Sequence, residues 1–191
     1  MSNNFVWGDF ISDEAVDLCV DFYNNQKFLP YFKGQFFSSD FGDNTVDKSK
    51  KDSLDLPLPI NVFTRYLKPY MHELQRILEL YIEKYPYCND CDPFEIKQEV
   101  QIQKYPIGGG YKTWHQERGS DKSPMVYRHL VFMTYLNDVP DGGTEWFHQD
   151  LYIPAQKGYT VIWPSDWTHL HRGRVSHTKE KMIITGWYSF V

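Results

Sequence analysis

The sequence predicts a mainly β chain of the α+β class, with antiparallel strands assembled as a jelly roll (a double-stranded β-helix) and buttressed by amino-terminal helices. Three observations carry this. Apolar residues recur at three- and four-residue steps in the first half and at two-residue steps in the second. Helices come first and strands later, without the regular alternation that builds a parallel sheet. Aromatic residues make up 17% of the chain, a share that pleated surfaces favour.

The first element is a helix over residues 12–24. Ser12 is its N-cap, and Ala15, Val16, Leu18, Cys19 and Phe22 form its apolar stripe. Residues 34–59 show no period and read as a long loop, either disordered or a lid. A second helical pattern follows, with Val62, Phe63, Tyr66, Leu67, Tyr70, Met71, Leu74, Ile77, Leu78, Tyr81 and Ile82 on one face. Pro69 falls inside it and kinks or splits the helix. From there the pattern is extended, with strands over residues 97–105, 127–136, 158–163 and 181–190. Turn signals separate them at Pro106 with Gly108 to Gly110, at Asp141-Gly142-Gly143 and at Pro164-Ser165-Asp166. At 191 residues the chain is expected to form a single domain, 1–191, with residues 1–95 as helical support and loop or lid and residues 96–191 as the jelly-roll half.

Charge and cysteine usage exclude several functions. The net charge of −5 gives no basic surplus for a phosphate backbone, so nucleic acid is not an expected partner. Lys48, Lys50 and Lys51 alternate with Asp47 and Asp52 and read as a solvated loop. No run reaches the roughly 18 apolar residues of a membrane span, and residues 1–10 lack the pattern of a signal peptide. Cys88 and Cys91 form a lone C-x-x-C, weak evidence for zinc. Together with Cys19 they read as free thiols of a cytoplasmic protein.

Side-chain direction points to the chemistry. Alternation along an extended Trp114-His115-Gln116-Glu117 aims His115 and Glu117 the same way, offering nitrogen and oxygen to a divalent transition metal. Farther on, Lys181, Ile183, Thr185 and Trp187 share one strand face, where a cation and a hydroxyl suit a ligand carboxylate in an apolar pocket. Tyr105 shares parity with Gln101 and Gln103, and Tyr135 with Val131 and Met133, so two phenols can enter the same interior.

Residues 96–191 resemble the prolyl 4-hydroxylase-like branch of the iron(II)/2-oxoglutarate dioxygenases. The motifs that carry the resemblance are Tyr105, ten residues before His115-x-Glu117, then Tyr135-Leu136-Asn137, Gly142-Gly143, a distal histidine, and Lys181 ten residues beyond His171. Thr185 and Trp187 match as well. The offset to Lys181 selects His171 as the distal ligand over His169, which is left as a supporting neighbour, and over His177. One position departs: the family usually has Asp where this chain has Glu117.

The resemblance implies that His115, Glu117 and His171 hold Fe(II) and form the catalytic centre. It implies that 2-oxoglutarate binds through Lys181, Tyr105, Tyr135, Thr185 and Trp187. The implied reaction uses O2, with ascorbate as a candidate accessory, and decarboxylates 2-oxoglutarate to succinate while hydroxylating a C–H bond. A prolyl residue of a peptide or protein is the first choice of substrate. Alternatives are a free amino acid, or a non-catalytic jelly-roll module that binds metal or a small acid. Trp114, Tyr111, Tyr127, Arg118, Arg128 and Trp146 are candidate substrate-facing groups.

Overall fold

The computed structural model describes residues 4–38, 43–119 and 124–191. Its first half contains β1 (Trp7–Phe10), α1 (Asp13–Asn25), β2 (Phe32–Lys33), β3 (Phe36–Ser38), β4 (Asp43–Thr45), β5 (Lys51–Asp52) and β6 (Leu54–Leu58). Helices α2 (Ile60–Tyr66) and α3 (Lys68–Lys84) follow, then β7 (Phe94–Ile96), β8 (Val100–Tyr105) and β9 (Gly110–Tyr111). The remainder is β10 (Arg128–Tyr135), β11 (Val139–Trp146), β12 (Leu151–Ala155), β13 (Tyr159–Pro164), β14 (His171–Gly173) and β15 (Lys181–Phe190).

The helices form where the apolar stripes predict them. Ser12 caps α1 by accepting from the Ala15 N–H, which satisfies one of the free donors of the first turn. The long apolar pattern splits at Leu67, and Pro69 sits in the first turn of α3, where its missing N–H is not needed.

Among the described residues, the large antiparallel sheet has the order β1-β13-β10-β15-β8-β6-β2, with β7 paired to the end of β15. Its two faces have different neighbours, as strand alternation requires. Leu56, Leu58, Val100, Ile102, Leu130, Phe132, Ile184 and Tyr188 pack with Ala15, Cys19, Phe63, Tyr70, Leu74 and Ile77 of the helices. The opposite parity, including Tyr105, Val131, Met133, Tyr135, Ile183 and Trp187, joins Val139, Trp146 and Ala155 of a smaller sheet, β12-β11-β14. Two antiparallel sheets facing each other, with helices behind the larger, make the expected jelly roll. No described helix is long and apolar enough to cross a membrane.

Two expectations need correction. Residues 34–59 are not a structureless loop: β3, β4, β5 and β6 lie there, with residues 39–42 outside the described part. Leu56 and Leu58 are buried, and Pro57 is tolerated because β2 pairs β6 only at Leu54 and Asp55. Asp141-Gly142-Gly143 is not a turn between strands either, since it lies inside β11. The register shifts between Val139 and Thr144 as at a bulge, and a Cβ on Gly143 would sit 2.1 Å from the Ile153 carbonyl oxygen. Glycine there serves a close strand approach.

Candidate active site

The segment carrying His115 crosses the edge of β14. His115 and His171 each donate a backbone N–H to the other's carbonyl at 3.0 Å, so the bridge sets the two side chains together. Two residues on, the Glu117 and Arg118 N–H groups both donate to the Ser165 carbonyl, at 3.1 and 2.9 Å. Thus an extended backbone, pinned at both ends, aims His115 and Glu117 inward as parity predicts. Glu117 Oε1 lies 3.5 Å from His115 Nε2 and 3.4 Å from His171 Nε2. The three offered ligand atoms lie within 4.8 Å of one another.

These residues fit a divalent metal. Each imidazole places Nδ1 3.0 Å from the carbonyl of the residue two before it, Thr113 for His115 and His169 for His171. A carbonyl only accepts, so the proton sits on Nδ1 and each Nε2 presents a lone pair. Burial, with His171 opposite, holds the His115 imidazole below its ordinary pKa and therefore neutral. Burial alone would push the Glu117 carboxyl up. It is nevertheless held well below the usual carboxylate range, with the Arg128 guanidinium against it at 3.2 Å. Two nitrogens and one anionic oxygen converge, a donor set suited to Fe(II) with positions left open.

The longer glutamate arm is held at its far oxygen. Oε2 accepts from Trp187 Nε1 at 3.0 Å and from Arg128 Nη1 at 3.2 Å. The guanidinium lies 3.5 Å from the Trp187 ring centroid, and its Nε donates to Gln98 Oε1 at 3.0 Å. One carboxylate oxygen is thereby left for the histidines. On the other side, Tyr111 stacks on the His115 ring at 3.6 Å and an interplanar angle of 8°.

The triad opens onto a cavity of about 910 Å³ between the two sheets. Lys181 lines it, buried, with Nζ donating to the Gly142 and Arg174 carbonyls at 2.7 and 3.0 Å. An ammonium has three protons, so one remains for a ligand. Burial lowers its pKa to about 8, partly countered by Asp141. Tyr105, Tyr135, Thr185 and Trp187 line the same cavity. Their polar atoms are already engaged: the Tyr105 hydroxyl donates to Gln103 at 2.5 Å, Tyr135 to Thr144 at 2.7 Å and Thr185 to the Phe132 carbonyl at 2.9 Å. Trp187 gives its N–H to Glu117.

Residues 100–189 match the family profile described as the 2OG-Fe(II) oxygenase superfamily. This segment belongs to that superfamily. The oxygenase therefore uses Fe(II), 2-oxoglutarate and O2. No curated protein matches the chain in sequence. Solved structures do match in shape. A viral collagen prolyl hydroxylase from Paramecium Bursaria Chlorella virus-1, in its 2OG complex, gives a TM-score of 0.65 at 17% identity, covering 98% of this chain and 96% of that one. A Pseudomonas putida prolyl-4-hydroxylase gives 0.66 at 14% identity, covering 99% and 94%. A Trichoplax adhaerens prolyl hydroxylase, in complex with a hypoxia inducible factor peptide fragment, gives 0.73 at 14% identity, covering 98% and 84%. At these identities the likeness establishes the fold.

Other expected residues of the oxygenase are distributed unevenly. Tyr111, Trp114, Arg118 and Arg128 line the cavity, whereas Tyr127 lines a neighbouring cleft with Lys97 and Phe190. Trp146 is fully buried, edge-on to Trp163 at 5.3 Å, and cannot face a substrate. His169 is engaged through Thr168 and the Asn4 carbonyl and supports His171 through its backbone. His177 is exposed. Lys51 corrects the expectation of a solvated loop lysine. It is buried and ion-paired to Asp55 at 2.7 Å on the cavity wall. Lys51, Asp55, Gln103 and Thr144 carry no motif that marks them as cavity residues. Only the parity of Gln103 with Tyr105 points to one of them.

Proposed function

We propose that the chain hydroxylates a C–H bond of a prolyl residue in a peptide or protein. His115, Glu117 and His171 would hold Fe(II), and Lys181 would anchor the distal carboxylate of 2-oxoglutarate. The observation that carries this reading is the buried Lys181 ammonium, one proton uncommitted, on the wall of the cavity onto which the three ligand atoms open. When bound, Fe(II) with 2-oxoglutarate and O2 supplies the oxidising power, and 2-oxoglutarate is decarboxylated to succinate.

The chain's own residues position and seclude. Nδ1–H donation to the Thr113 and His169 carbonyls orients both imidazoles. Arg128 and Trp187 keep Glu117 presenting one oxygen. A charge-assisted bond from Lys181 selects a diacid over a monoacid, and an arriving carboxylate competes for the phenol protons of Tyr105 and Tyr135. Buried Met133, Trp163 and Ile183 exclude water from the cavity wall. The three structural neighbours named above are prolyl hydroxylases, one of them holding a peptide, and they favour a prolyl peptide over a free amino acid. Residues 1–95 act as support and wall for the catalytic half within one domain. Three free thiols suit a cytoplasmic setting.

The test is succinate formation from 2-oxoglutarate with Fe(II), measured with and without proline-containing peptides and followed by mass spectrometry of the peptide. The reading expects peptide-stimulated succinate and one added oxygen on proline. Stimulation by free proline alone, or oxygen added to another residue, would replace the substrate assignment.

A further inference from the structure

Three segments of the chain bring four rings into one exposed row beside the metal cavity. Trp114 precedes the ligand His115, Phe147 and His148 lie in the connection from β11 to β12, and Trp167 lies between β13 and β14. Trp114 is 36% exposed, Phe147 58% and Trp167 65%. Neighbouring ring centroids are 5.3 Å apart from Trp114 to Phe147, 5.2 Å on to His148 and 6.0 Å on to Trp167. A lone exposed ring is ordinary, but a contiguous row marks a contact surface.

The row is held in place by the protein itself. The Phe147 N–H donates to the Leu170 carbonyl at 2.8 Å and Gln149 Nε2 to the Thr168 carbonyl at 2.9 Å, tying two of the segments together. The Arg172 guanidinium lies 4.4 Å from the Trp114 ring centroid, and its Nε donates to Glu145 at 2.8 Å. Rings fixed in this way lose little freedom on binding. One end of the row meets the cavity: Trp114 lines it, whereas Phe147, His148 and Trp167 lie outside. A chain leaving the cavity past Trp114 runs onto the row.

Chemistry selects what lies there. Aromatic faces are negative and attract C–H groups of partial positive charge. Proline within a chain has no N–H to give, so a proline-rich flank is gripped by its ring faces, and its polyproline II form is extended beforehand. At roughly 3.1 Å per residue, several residues span the row. We propose that Trp114, Phe147, His148 and Trp167 form a subsite for a proline-rich stretch flanking the target residue. This rests on the peptide reading above and narrows it to proline-rich segments.

The test combines Phe147→Ala with Trp167→Ala, two exposed positions outside the cavity, with thermal midpoints confirming folding. The protein is loaded with Mn(II) and 2-oxoglutarate and titrated calorimetrically with two peptides of equal length, their central proline flanked by prolines or by alanines. The double variant should bind the proline-flanked peptide about tenfold or more weakly than wild type does. The alanine-flanked peptide and 2-oxoglutarate should stay within twofold. The statistical advantage of several prolines is the same in both proteins and cancels. Trp167→Phe alone keeps a ring and should retain most of the wild-type affinity. Unchanged affinity for the proline-flanked peptide in the double variant overturns the inference and leaves the dioxygenase reading standing. An equal loss for both peptides overturns the proline assignment. With peptide binding unaffected, a dimer in sedimentation that the double variant abolishes would give the row to a second copy. Affinity for a cello-oligosaccharide lost in the same way would give it to a glycan, and either result overturns the inference. If wild type consumes 2-oxoglutarate with Fe(II) but binds neither peptide, the peptide reading fails and this inference falls with it.

Discussion

Lys181 should affect stability and cosubstrate binding with opposite signs as pH rises. Its pKa falls from 10.5 to about 8 because the ammonium is buried, a difference of about 3 kcal/mol between the two protonation states. Below pH 8 the folded chain carries the buried charge. Above it, the folded state has released a proton that the unfolded chain keeps until about pH 10.5, so this group makes folding more favourable as pH rises. Over pH 8 to 9.5 the gain is about 2 kcal/mol. Tyrosines whose pKa burial raises act the other way at higher pH, so the comparison belongs between wild type and Lys181→Met. Urea denaturation across that window should show wild type gaining about 2 kcal/mol relative to the variant. Binding of 2-oxoglutarate should move oppositely, weakening above pH 8 as the ammonium is lost. In Lys181→Met it should be about 10- to 100-fold weaker at pH 7 and nearly independent of pH. Parallel stability profiles for the two proteins, or unaltered 2-oxoglutarate affinity in the variant, would refute the burial and the anchor respectively.

Other consequences are as direct. Trp187→Phe removes the indole donor to Glu117 Oε2, and Mn(II) affinity measured by calorimetry should drop about 10-fold; no change would mean that Arg128 alone holds the carboxylate. Gly143→Ala places a Cβ 2.1 Å from a backbone oxygen and should cost about 1–3 kcal/mol in urea unfolding, whereas a neutral result would show that β11 and β12 can move apart. Leu56→Ala, at a fully buried position of β6, should cost about 2–5 kcal/mol. An effect under 1 kcal/mol would mean that β6 is not integral to the core.

Legibility in the sequence follows the length of each periodic signal. Eight- and ten-residue strands such as β10 and β15 announce both their existence and their inward parity, so alternation alone assigns Tyr135, Lys181, Thr185 and Trp187 to the cavity face they occupy. The three candidate ligands are legible because two of them are two residues apart on extended backbone and the third sits at the offset from Lys181 that the family resemblance supplies. The short elements are not. β5 has two residues and β3 has three, too few to show a period, and β6 carries a proline and an aspartate. Lys51 and Asp55 look like solvated charges because each neutralises the other only after folding buries both. Gly142 and Gly143 resemble turn residues in sequence, but a Cβ on Gly143 would strike β12 at Ile153 and Tyr152, and one on Gly142 would strike Val139, contacts that only folding reveals. The Glu117 contacts with Arg128 and Trp187 span 11 and 70 residues, beyond any local pattern.

The most direct test is anaerobic addition of Fe(II) and then 2-oxoglutarate, followed by visible absorption. Chelation of ferrous iron by the keto acid gives a charge-transfer band that neither produces alone. Wild type should develop it at one iron per chain, and a folded His171→Ala protein should not. A band of equal intensity in His171→Ala, or none in wild type, would contradict the placement of the metal between His115, Glu117 and His171.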